Sequence, residues 1–131
     1  MKKNIAGQKN LEMNDQVFAF RRKVIALVYE ANKLVPNLPR VEVRIVENEG
    51  NTLGVAHMGV KHISIMRSVV ADNDDILRHV VFHELVHTLF GVRHNKKCPL
   101  MKALVDIPAT KQECHDLFKK YAKQSTMGVA V

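Results

Sequence analysis

Between Asp15 and Val35 the apolar residues Val17, Phe20, Val24, Leu27, Val28, Ala31 and Leu34 recur at intervals of three and four, with charged and polar residues between them. That period predicts an amphipathic helix. The "PNLP" that follows ends it, because proline supplies no backbone donor and restricts the residue before it. The pattern then changes. In "RVEVRIVE" Val41, Val43 and Ile45 fall on one face and Glu42 and Arg44 on the other, the alternation of a half-buried strand, and "ENEGN" is a turn. "TLGVAHMGVKHISIMRS" predicts two short strands about a turn at Met58 to Lys61. In the second of them Ile63 and Ile65 point one way while His62, Ser64 and Met66 point the other. A small mixed or antiparallel sheet of about three strands follows.

Helical periodicity returns after this sheet. A second long helix is expected to open near residues 72–74, where Asp72, Asp74 and Asp75 complement the positive end of the helix dipole, and to run to Phe90 before Gly91 stops it. A third helix starts at Thr110, which with Glu113 forms a capping box behind Pro108. Residues 1–14 are polar and aperiodic and are expected to be a flexible tail; 125–131 trail off at the other end. The expectation is therefore a single α+β domain over 15–124, with no repeat or linker to divide it.

Composition narrows the classes. A chain of 131 residues suits one compact unit, and 47% hydrophobic with 25% charged residues argues against global disorder. No apolar run approaches the ~18 residues of a membrane span, and the N-terminal lysines lack the apolar stretch of a signal peptide. Cys98 and Cys114, the two cysteines, are too few for a disulfide framework and suit a reducing compartment, with a single bridge between them as the alternative, so a cytoplasmic location is expected. The formal charge is +7. The basic residues are spread over Arg21, Arg22 and Lys23, over Arg93, Lys96, Lys97 and Lys102, and over Lys119, Lys120 and Lys123. That balance permits nucleic-acid contact, although solvated basic faces are the simpler explanation.

The chemistry concentrates in "HVVFHELVHTLFGVRHNKKCPLM". On a helix His83 and His87 lie one turn apart on one face, a separation from which two imidazoles can meet a single metal ion. Glu84 is rotated about 100° around the axis, where a carboxylate can reach water at the metal without becoming a ligand. A zinc ion lowers the pKa of bound water to about 7, and a neighbouring general base completes a machinery suited to amide hydrolysis. A catalytic zinc site has three protein ligands and one open position. His94, brought back by the chain reversal at Gly91, is the natural third ligand, with Glu113, His115 and Cys98 as competitors. Glu113 is better explained by capping and Cys98 as a small buried residue. His79 lies on the same stripe, but is about 12 Å from His87 along the axis and fits a cleft-wall or core histidine.

These residues resemble a zincin metallopeptidase, and the longer pattern resembles the metzincin signature, in which HExxH is followed by a glycine, a third histidine and a methionine turn. The resemblance is close over residues 76–101. It implies Zn2+ bound by His83, His87 and His94, Glu84 as general base, Gly91 as the turn glycine and Met101 of "CPLM" as the hydrophobic floor under the metal. It also implies a minimal zincin-like domain: N-terminal helix, small sheet, active-site helix, Met-turn and C-terminal helix. The substrate would be a peptide or protein lying antiparallel along an edge strand, here His62 to Met66; His57 and His62 are candidates to face the cleft, with surface or pairing roles as the alternative. The spacing differs from the metzincin pattern by one residue, since Thr88, Leu89 and Phe90 separate His87 from Gly91 where the pattern has two. The chain is also similar to SprT-like and WLM-type zinc proteases, which act on DNA-attached proteins and share its basic character. A non-catalytic metal-binding module is the alternative from another class.

Overall fold

The computed structural model describes residues 2–46, 54–56, 61–67, 73–103, 105 and 107–130, with the side chains of 2–14 and 126–130 outside the description. In chain order the described elements are helix α1 (Lys2–Leu34), strands β1 (Glu42–Val46), β2 (Gly54–Ala56) and β3 (His62–Met66), helix α2 (Asp74–Phe90) and helix α3 (Lys111–Ala130). This is the small α+β domain expected from the sequence. Both outer helices continue past the apolar stripes that announced them: α1 has helical backbone back to Lys2 and α3 forward to Ala130. Residues with good intrinsic helix propensity, such as Lys, Gln, Glu, Met and Leu, extend a helix without needing a face to bury.

The sheet order is β1-β3-β2. β1 runs parallel to β3, Glu42 opposite His62 and Val46 opposite Met66, while β2 is antiparallel to β3 with Gly54 opposite Ile65. The strand His62–Met66 is therefore central, which corrects its assignment as the substrate-binding edge. Alternation along a strand specifies its two faces, not its neighbours, and the parallel pairing with β1 occupies the side that the assignment left free. Among the described strands the edges are β1 and β2. His62 sits half-buried on the central strand, and His57 lies outside the described residues.

Helix α2 is the centre of the molecule. Its cap is Asn73, whose side chain accepts from the Ile76 N–H at 2.9 Å, while Asp74 and Asp75 occupy the first turn. Leu77, Val80, Val81, Phe82, Leu85 and Val86 are all essentially inaccessible, so the helix is covered on several sides rather than along one stripe. Phe20, Val24, Val28 and Ala31 of α1 pack on it from one side, Cys114 and Phe118 of α3 from another, and Val43, Ile63 and Ile65 of the sheet from a third. Each such side chain contributes roughly 1.5–3 kcal/mol by leaving water. A polar junction ties the helices together at their rim: Glu30 of α1 accepts from Arg78 of α2 at 2.9 and 3.1 Å and pairs with Nε2 of His115 of α3 at 2.9 Å. Among the described residues no helix is long and apolar enough to cross a membrane.

Candidate metal centre

Burying a helix on all sides leaves its polar residues few options, and α2 buries four: His79, His83, Glu84 and Thr88. His83 lies 2.7 Å through Nδ1 from the Leu100 carbonyl, and Nδ1 of the partly buried His87 faces the Val92 carbonyl. A carbonyl only accepts, so each ring carries its proton on Nδ1 and leaves Nε2 as a bare lone pair. The two Nε2 atoms are 3.1 Å apart. Two lone pairs at that distance repel unless they share a cation. Zinc–nitrogen bonds of about 2.0–2.1 Å in tetrahedral geometry place ligand nitrogens about 3.3 Å apart, so this separation fits two ligands of one metal ion. Burial holds the His83 imidazole down at about 4, only partly offset by the Leu100 hydrogen bond, and burial also lowers His87. Both are neutral near pH 7, the form that ligates.

The chain leaves α2 through Gly91, which sits in the left-handed region at φ 65° and donates to the His87 carbonyl at 3.0 Å. A short stretch without regular structure carries Val92 and then the exposed His94, whose ring centre comes within 5.2 Å of that of His83 and 4.9 Å of that of His87. One ligand atom from each of the three histidines lies within 4.8 Å of the others, so the group can hold a metal ion. The extra residue before Gly91 is absorbed by the reversal. Beyond it, Asn95 N–H donates to the Met101 carbonyl at 2.8 Å and Cys98 N–H to the Asn95 carbonyl at 3.1 Å, closing the loop that holds Leu100 against His83. Met101 is fully buried within the core beside it.

The competing ligands are engaged elsewhere. Glu113 accepts from the Thr110 N–H at 2.9 Å while Thr110 Oγ1 accepts from the Glu113 N–H at 3.1 Å, the full capping box. His115 pairs with Glu30, and Cys98 is buried with its sulfur 3.1 Å from the Tyr121 hydroxyl. His79 is a core histidine: its Nδ1 accepts from the Ala109 N–H at 2.8 Å, its ring stacks on that of His83, and its buried Nε2 has no partner among the described residues.

Glu84 is 6% exposed, and burial pushes its carboxyl up to about 7. Among the described residues no cation or hydrogen-bond donor neutralises it. Three contributors to the site carry no signal in the sequence: the carbonyls of Leu100 and Val92, which any residue type could supply, and Gly54 of β2, which lies against Glu84. Comparison with protein-family models, with curated proteins and with solved structures finds no match to this chain.

Proposed function

We propose that this protein is a zinc-dependent peptidase in which His83, His87 and His94 hold the ion and Glu84 is the general base. The observation that carries the reading is the convergence of two bare imidazole nitrogens at 3.1 Å, on the same helix as a buried, unneutralised carboxylate. Zinc, when bound, would polarise the scissile carbonyl and acidify water. Glu84 takes the proton from the attacking water and passes it to the leaving amine. A carboxylate held beside the metal-bound water can take and return a proton in this way. The Leu100 and Val92 carbonyls hold the two imidazoles in the ligating tautomer and orientation. Strand β2, the sheet edge against this helix, offers an extended substrate main-chain pairing beside the base. A purely structural metal site would gain nothing from an unpaired buried carboxylate, which favours catalysis over a metal-binding module.

The test is metal content by elemental analysis on the native protein, His94→Ala and Glu84→Gln, paired with cleavage of a broad peptide mixture. The native chain is expected to carry about one zinc, as a three-ligand site implies. His94→Ala is expected to lose or loosen the metal, and Glu84→Gln to keep it while losing hydrolysis by at least about a hundredfold. Absence of metal after reconstitution would overturn the reading, and activity retained in Glu84→Gln would remove its general base.

A further inference from the structure

Gly54 stands where β2 crosses α2. A Cβ added there would lie 2.8 Å from Glu84 Oε2, 2.9 Å from Glu84 Cγ and 2.9 Å from Val80 Cγ1, closer than carbon atoms in proteins approach one another. The backbone of Gly54 does not occupy the left-handed region, which among the described glycines is taken by Gly91. Space, not conformation, is what requires glycine at this position. Neither partner can move away easily. Gly54 is paired to Ile65 in the sheet, and Glu84 lies near the middle of a helix whose neighbouring residues Phe82, Leu85 and Val86 are locked in the core. The space a side chain at position 54 would need is therefore already taken by the Glu84 side chain and Val80.

We infer that Gly54 is a positioning residue for Glu84: its missing side chain lets the backbone of β2 bear on the carboxylate, hold it in one orientation and shield one side of it from water. The inference rests on the peptidase reading of Glu84. A methyl group at position 54 meets the stiff Val80 on one side and the Glu84 stem on the other, so the carboxylate must swing out of place. The three nearest atoms to that methyl belong to Glu84 and Val80 and none to the histidines, so metal affinity and base placement are expected to separate.

The experiment uses cobalt(II) as a visible replacement for zinc and acetohydroxamate as a small chelator whose hydroxyl can hydrogen-bond to the base. Cobalt titrations and hydroxamate titrations, followed by the visible absorption of the metal, are made on the native protein, Gly54→Ala, Glu84→Gln and the double variant. Gly54→Ala is expected to bind cobalt as the native protein does but hydroxamate about tenfold more weakly, the scale of one lost charge-assisted hydrogen bond. In the Glu84→Gln background the same substitution is expected to have little further effect, because its influence passes through the carboxylate. Native hydroxamate affinity in Gly54→Ala, or an undiminished loss in the Glu84→Gln background, would overturn the positioning role while leaving the metal site standing. Failure of the native protein to bind cobalt would overturn the peptidase reading and this inference with it. Should Gly54→Ala not fold, Gly54→Ala/Glu84→Ala is expected to recover folding, since it removes two of the three clashing atoms; an equally unfolded pair would overturn the inference.

Discussion

Two histidines one turn apart on the same helix have different fates because of what lies beyond the helix. His83 finds a carbonyl acceptor for Nδ1 and turns Nε2 toward His87, whereas His79 accepts from the Ala109 N–H and keeps a proton on an Nε2 that has no acceptor among the described residues. Burial, together with the charge of Lys102, holds His79 at about 4, below the 6.5 of an exposed histidine. As pH falls the unfolded chain takes up the proton first. The stability associated with neutral His79 is thus complete above about 6.5 and is lost as pH falls toward 4. Glu84 acts with the opposite sign, because its folded value is raised from 4.5 to about 7 and its contribution is lost as pH rises through that window. Urea unfolding of the metal-free protein and of His79→Gln, between pH 7.5 and pH 4.5, isolates the first effect, since Glu84 is common to both. The native protein is expected to lose more stability on acidification than the variant, and equal losses would show that His79 is not held neutral by the fold.

Element ends do much of the positioning. Gly91 and Gly54 are both required, for opposite reasons: a Cβ on Gly91 meets nothing within 4 Å, but its φ of 65° is one that other residues reach only with strain. Gly91→Ala is expected to cost about 1 kcal/mol of folding stability and to weaken metal binding as well, because the same turn delivers His94. Paired urea and zinc titrations check this, and a variant that lost stability with metal affinity unchanged would mean that His94 is not held by this turn. At the start of α3 the Thr110–Glu113 box satisfies exposed helix donors locally, so it was legible from four residues of sequence. The opening of α2 was legible less finely: the aspartates mark the right turn, but Asn73 makes the capping hydrogen bond.

At the scale of the molecule the Glu30, Arg78 and His115 junction joins all three helices at one rim of the core. Burial alone would raise the Glu30 carboxyl, but hydrogen bonds and charge from Arg78 and His115 bring it below 4.5, so its stabilisation is present above that pH and lost below it. The side chains remain about one-fifth exposed, so the discount for solvent is real. Glu30→Gln is expected to destabilise the protein by about 1–2 kcal/mol at neutral pH and to leave unchanged any metal content of the proposed histidine site. Thermal unfolding and elemental analysis of the native protein and that variant check both halves, and loss of metal in the variant alone would mean that the helix junction and the histidine cluster are one cooperative unit.

The sequence by itself determined what depends on residues a few positions apart: the periods of the three helices, the alternation in β1 and β3, the capping box, the stop at Gly91, and the pairing of His83 with His87 on one helical face. Rise and rotation per residue translate such spacings directly into geometry. It also pointed to His94, because a glycine reversal shortly after a helix has few places to send the chain. Only the tertiary structure decided which strand is central, which carbonyls set the histidine tautomers, where His79 and His115 turn, and that Gly54 touches Glu84. Each of those depends on segments far apart in the chain, whose meeting is set by the packing of helices and sheet around α2 and leaves no periodic trace in either segment.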